Sequence, residues 1–205
     1  MIGIINYGSG NLQAIANIYH SLDIPYKIAS TAQDIESADK LILPGVGAFD
    51  EVMARFNESG LRDVVEKMVL LEEKPIIGIC VGMQILAKES EEGSLSGLGW
   101  INGSVEKIST KNIHHKPYLP HMGWNSVKPL KDIAITNHLL CEKGFYFLHS
   151  YCFRCQNTED ILMTTEYGET INSAVNHGNI YGVQFHPEKS HYNGIQIFKN
   201  FATLQ

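Results

Sequence analysis

Pro75-Ile76-Ile77-Gly78-Ile79-Cys80-Val81-Gly82-Met83-Gln84 carries the strongest structural signal in this chain. Ile76, Ile77 and Ile79 form a short apolar run bounded by turn residues, as expected of a strand buried on both faces of a parallel sheet. Cys80 follows directly, with Gly78 and Gly82 two residues to either side, and Met83, Gln84, Ile85, Leu86, Ala87 and Lys88 then predict a helix. Strand, sharp turn with a nucleophile at its apex, then helix is the logic of a nucleophile elbow. Such a turn nearly brings together the positions two before and two after the nucleophile, so both must lack a side chain. It also sets the sulfur at a helix N-terminus, where partial positive charge favours the attacking thiolate. The same residues fit a cysteine buried in a strand–helix joint, so the thiol alone leaves its role open.

A nucleophile needs a base, and the base needs an orienting group. Of nine histidines, His186 has that company, because Tyr181-Gly182-Val183-Gln184-Phe185-His186-Pro187-Glu188 reads as a strand ending in His-Pro-Glu. Alternate residues of an extended chain project to one side, which puts His186 and Glu188 together. Pro187 fixes its own φ and holds His186 extended. Glu188 then accepts a hydrogen bond from one ring nitrogen and leaves the other free to exchange a proton with the thiol.

These two stretches resemble the class I glutamine amidotransferases, whose nucleophile motif is G-x-C-x-G-x-Q and whose base motif is H-P-E. The resemblance implies an α/β fold of three layers, a mostly parallel sheet flanked by helices with a smaller antiparallel sheet. It implies glutamine hydrolysis by a Cys80, His186, Glu188 triad, with no cofactor.

The rest of the chain narrows the resemblance. A strand at 2–6 leads through Tyr7-Gly8-Ser9-Gly10-Asn11 into an amphipathic helix; the glycine-rich turn lacks the phosphate-loop lysine and the dinucleotide spacing. Strands at 25–29 and 40–43, with a short helix capped by Ser30 or Thr31 between them, imply a parallel sheet covered by helices on both faces. Pro44-Gly45-Val46-Gly47 then falls at the carboxyl end of a parallel strand, where open α/β sheets bind ligands. Small residues there let backbone N–H groups reach a developing oxyanion. Helices are expected at 49–57 and 61–73 and a strand at 101–108.

Pro44-Gly45-Val46-Gly47, Ser90-Glu91-Glu92-Gly93, Pro120-His121-Met122-Gly123-Trp124-Asn125 and His186-Pro187-Glu188-Lys189-Ser190 together resemble the glutaminase subunits of imidazole glycerol phosphate synthases. That resemblance implies an oxyanion hole at Gly47 and Val81 and a glutamine pocket of Gly45, Gln84, Glu92, His149, Ser150 and Tyr151, with Glu92 holding the α-amino group. It places Asn11, Pro120, His121, Met122, Trp124, Asn125, Tyr146 and Lys189 against a partner, a (β/α)8-barrel cyclase that uses the ammonia in histidine biosynthesis. Read from the residues alone, 119–125 is a surface loop and 144–152 a single aromatic strand. The usual H-S-Y-Y becomes His149-Ser150-Tyr151-Cys152, and Cys152 with Cys155 forms a C-x-x-C that is either redox-active or ordinary packing. His114 and His115 have no acidic or thiol ligand at metal spacing. Antiparallel strands are expected at 161–167, 173–177 and 180–185, and a closing helix at 190–204 carries Ile195, Ile197, Phe198 and Phe201 inward.

The 205 residues suit one domain, 1–205, able to bury a sizeable core, with 44% hydrophobic and 19% charged residues. A net charge of -6 with scattered basic residues argues against nucleic acid, and no apolar run approaches the ~20 residues of a membrane span. Four unevenly spaced cysteines and an N-terminus that enters a strand directly point to the cytoplasm. The chain has no acceptor site for ammonia, so a partner is expected to consume it. Two alternatives remain: a paralogue feeding ammonia to a sugar-modifying amidotransferase of surface polysaccharide, and a regulatory subunit without turnover. A γ-glutamyl peptide hydrolase would leave residues 120–125 unexplained.

Overall fold

Short apolar runs alternate with amphipathic ones through the first half of the chain, and the computed structural model, which describes residues 1–114 and 116–204, turns them into alternating strands and helices. The elements are β1 (Ile2–Ile5), α1 (Leu12–Ser21), β2 (Tyr26–Ala29), α2 (Ala32–Ser37), β3 (Lys40–Gly45), α3 (Phe49–Glu58) and α4 (Arg62–Glu66). Next come β4 (Ile76–Cys80), α5 (Val81–Gln84), β5 (Glu89–Ser90), β6 (Gly103–Lys107), β7 (His121–Asn125) and β8 (Lys128–Pro129). The chain finishes with β9 (Phe145–His149), β10 (Tyr151–Cys155), β11 (Ile161–Glu166), β12 (Thr170–His177), β13 (Ile180–Val183) and α6 (His191–Thr203).

Strands β2-β1-β3-β4-β13 run parallel and are extended by β12, β10 and β6 into one mixed sheet. β4 lies inside it, and every one of its residues is buried. Its register pairs Gly45 of β3 with Cys80, and Val183 of β13 with Ile79. The carboxyl ends of these three strands therefore converge. Helices α1 and α6 pack on each other, with Tyr19 against Phe198 at 5.4 Å, while α2 packs on α4. Thr31 caps α2 through Asp34, which hydrogen-bonds back to the Thr31 amide. No helix of the described residues is long and apolar enough to cross a membrane.

Four local expectations are corrected. The helix after Cys80 is a single turn, because carbonyls that would continue it accept instead from Leu98, Ile101 and Gly99, which bond to Ile85, Leu86 and Ala87. Residues 121–125 form a strand, pairing antiparallel with β9, rather than a surface loop. The aromatic stretch 144–152 breaks at Ser150 into β9 and β10, which belong to different sheets. Ile195 is exposed on α6, outside the stripe of Ile197, Phe198 and Phe201 that enters the core.

Candidate active site

The turn after β4 is as tight as glycine permits. Cys80 sits at φ 55° and ψ −113°, a backbone conformation that side chains disfavour and that occurs where function over-determines it. A Cβ on Gly78 would lie 2.5 Å from the Gly82 carbonyl oxygen, and one on Gly82 only 1.9 Å from that of Leu43. Gly82→Ala must therefore push β3 away from the elbow. We expect a loss of about 3 kcal/mol or more in unfolding free energy, read from denaturant titration. A variant within about 0.5 kcal/mol of the parent would show that the turn is not this tight.

β13 leads into the segment that carries His186. Past Val183 the chain carries Gln184 and His186 over the end of β4, and the His186 amide donates to the Tyr146 carbonyl at 2.9 Å. Ser190 Oγ donates to the His186 carbonyl at 2.6 Å and accepts from the Tyr146 amide at 3.0 Å, tying this corner to β9. His186 Nδ1 meets Glu188 Oε1 at 2.9 Å, and His186 lines the same cavity as Cys80. Burial pulls the His186 pKa down, but the bonds and charges of Cys80 and Glu188 outweigh it and raise the group to about 10. His186 is the one hydrogen-bond partner of the Glu188 carboxylate among the described residues.

Cys80, Val81, Gln84, Glu92, His149, Ser150, Tyr151, His186 and Lys189 line one cavity of about 310 Å³, together with Val46 and Gly47. Glu92 is held there by the Phe49 amide, which donates to its carboxylate at 2.9 Å. Gln84 is buried and gives its amide N–H groups to Tyr151 O at 3.1 Å and Gln184 Oε1 at 3.0 Å. Gly47 takes φ 112°, a conformation natural only to glycine.

The ribbon of β7 and β9 has two faces. Met122, Trp124 and Leu148 are exposed on the outer one, where Trp124 stacks on His191 at 5.3 Å and Lys189 lies over the Tyr146 ring at 5.7 Å. Asn11 is exposed and Pro120 half-exposed. His121, expected at the partner surface, instead turns inward by alternation and is 3% exposed. Asn125 turns inward beside it, 3.2 Å from the His121 ring.

The whole chain matches known proteins. Residues 3–204 fit the family model of the class-I glutamine amidotransferases. The chain belongs to the class-I glutamine amidotransferase family. It is 47% identical over 204 residues to the imidazole glycerol phosphate synthase subunit HisH of Leptospira borgpetersenii, covering 100% of both chains. It is 50% identical over 206 residues to the HisH subunit of Bdellovibrio bacteriovorus, again over 100% of each. A crystal structure of a glutamine amidotransferase superposes at a TM-score of 0.70, with 21% identity and 99% of both chains covered.

In this amidotransferase the C-x-x-C cysteines are packing residues. Cys152 is fully buried in a small cluster with Ile108 and Ile171, and burial pushes Cys152 and Cys155 each up to about 12. Cys152 does not line the pocket, whereas its neighbour Tyr151 does. Among the described residues no group of three or more His, Cys, Asp or Glu is placed to hold a metal ion; His115 lies outside them.

Three contributors escaped the sequence reading. Gln184 donates to Cys80 Sγ at 3.8 Å, and its i, i+2 relation to His186 was the available signal. Ser9 Oγ accepts from the Val46 amide at 3.0 Å and donates to the Val46 carbonyl at 3.1 Å, while Tyr7 OH donates to the Pro44 carbonyl. These clamps join segments far apart in the chain, so local pattern could not reveal them.

Proposed function

We propose that this amidotransferase is the cytoplasmic glutaminase subunit of an imidazole glycerol phosphate synthase. The observation that carries the chemistry is that Cys80 and His186 line one cavity of about 310 Å³ while Glu188 holds the His186 ring at 2.9 Å. The Cys80 thiolate adds to the side-chain carbonyl carbon of glutamine. Backbone N–H groups of Val81 and Gly47 stabilise the oxyanion. As the carbon–nitrogen bond breaks, His186 delivers its proton to the leaving nitrogen and ammonia departs. Water then attacks the γ-glutamyl thioester, His186 takes its proton, and glutamate leaves with the thiolate restored. Glu188 holds the ring throughout, and Glu92 takes the α-amino group.

The outer face of the β7–β9 ribbon supports a partner over the mouth of this pocket. Met122, Trp124 and Leu148 make an exposed apolar patch, and Leu148 and Lys189 also line the cavity. A (β/α)8-barrel cyclase seated there would receive ammonia without its passing through water. Coexpression with such a cyclase tests this: a stable complex forming glutamine-dependent imidazole glycerol phosphate is expected. Two polypeptides that purify apart and make no product would overturn it.

Turnover without the partner is expected to be low, because Ser9 Oγ donates to the Val46 carbonyl, which belongs to the peptide that carries the Gly47 N–H, and accepts from the Val46 amide, so it restrains that peptide from turning. Removing two hydrogen bonds worth about 1 kcal/mol each frees that peptide. Ser9→Ala should thus raise partner-free ammonia release by about fivefold or more while changing the rate in the complex little. Equal basal rates in parent and variant would eliminate Ser9 as the restraint.

A further inference from the structure

The inner face of the β7–β9 ribbon holds a polar chain that the triad itself does not use. Asn125 Nδ2 donates to His121 Nε2 at 3.2 Å and to the Glu166 carbonyl at 2.9 Å. His121 Nδ1 meets His149 Nε2 at 3.0 Å, and His149 Nδ1 lies 2.8 Å from the Tyr151 carbonyl. A carbonyl only accepts, so His149 keeps its proton on Nδ1 and presents a lone pair at Nε2. His121 must then donate from Nδ1 and accept Asn125 at Nε2, which fixes every direction in the chain with both rings neutral. Burial, the dominant influence, agrees: it lowers His121 to about 4 and His149 to about 3.

The chain continues to the nucleophile. The Tyr151 carbonyl also accepts from Gln84, which donates to Gln184, which in turn donates to Cys80 Sγ. We propose that His121 is a positioning residue for glutamine hydrolysis: by donating to His149 it fixes the pocket wall and, through Tyr151, Gln84 and Gln184, the sulfur. This rests on the glutaminase reading, since glutamine is what the wall holds. His149 lines the pocket and His121 does not; it is stacked behind, 4.6 Å from Phe147 and 4.0 Å from Tyr167.

Packing and hydrogen bonding make opposite demands at this position. His121→Phe keeps a ring between Phe147 and Tyr167 but leaves His149 Nε2 without a donor. His121→Asn gives up the stacking but keeps an N–H near the place of Nδ1. The measurement is the rate at which a glutamine-derived chloroketone alkylates Cys80 in the full chain, followed by intact mass, with a thermal melt of each variant. We expect His121→Phe to slow labelling by about tenfold or more, and His121→Asn to recover most of that loss despite a lower melting temperature. His121→Phe labelling at the parent rate, or His121→Asn falling below it, would assign His121 to packing and overturn the proposal. Should His121→Phe not fold, Asn125→Asp decides at the half-buried end of β7. A carboxylate there has no N–H, so it draws the His121 proton to Nε2 and sets two lone pairs facing at the imidazole pair. A tenfold loss is again expected, and an unchanged rate refutes the proposal. Parent protein that takes no label at all would overturn the glutaminase reading and this inference with it.

Discussion

Cys80→Ser is expected to lower glutamine hydrolysis at least about a thousandfold while moving the melting temperature by no more than about 2 °C. The site is built around the sulfur: His186 lines the same cavity, and Gln184 donates to the sulfur at 3.8 Å. A serine hydroxyl keeps its proton at neutral pH and is the poorer nucleophile even where the hydrogen bonds survive. Stability should change little, because serine adopts the same backbone and the elbow's packing rests on Gly78 and Gly82. The comparison is Cys152→Ser, which buries a hydroxyl among Ile108 and Ile171 and should reverse the pattern, costing stability and sparing turnover. Ammonia release in the presence of the partner and a melt of each variant separate the two outcomes. A Cys80→Ser protein within tenfold of the parent would remove the nucleophile from the mechanism.

The elbow and the His-Pro-Glu corner were legible because both are local. Glycines at two-residue offsets from Cys80 are dictated by the turn alone; Glu188 meets His186 as expected, but β13 ends at Val183 and a 3-10 turn over Pro187–Lys189, not strand alternation, brings the two together. What could not be read depended on contacts between distant segments. The helix after Cys80 was foreseen from residues with good helical propensity, yet residues 98–101 take its carbonyls and end it after one turn. Residues 121–125 contain a glycine and follow a proline, so they read as a loop. Pairing with β9 makes them a strand and turns His121 to the interior. The Ser9 clamp on Val46 escaped for the same reason. The fold and the grouping of Cys80, His186 and Glu188 were thus visible at the level of motif, whereas the contacts that position and restrain that grouping are tertiary.

Glu188→Gln tests the remaining member of the triad and should lower kcat by about two to four orders of magnitude. Its Oε1 lies 2.9 Å from His186 Nδ1, and no other described residue hydrogen-bonds to the carboxylate. Glutamine keeps the shape and removes the charge. If its carbonyl faces the ring, the imidazolium loses its counter-ion; if its amide does, the ring is forced into the wrong tautomer. The pH profile gives the sharper signature. Burial alone would lower the His186 pKa, and the bonds and charges of Cys80 and Glu188 raise it to about 10. A raised pKa means that the charged ring is fully present below the ordinary histidine value and is lost as pH climbs through about 10. The proton donor for ammonia departure disappears with it, so kcat/KM of the parent should fall on the alkaline side near pH 10 rather than near neutrality. Removing Glu188 deletes two of the raising influences and leaves those of Cys80, so the alkaline limb of Glu188→Gln must move toward lower pH. In the parent the stability contributed by the charged His186 ring should be present below the ordinary histidine value and be lost as pH rises through about 10, and in the variant that loss should begin at lower pH. A variant whose kcat drops while its alkaline limb stays at the parent position would mean that Glu188 acts by something other than holding the proton on His186.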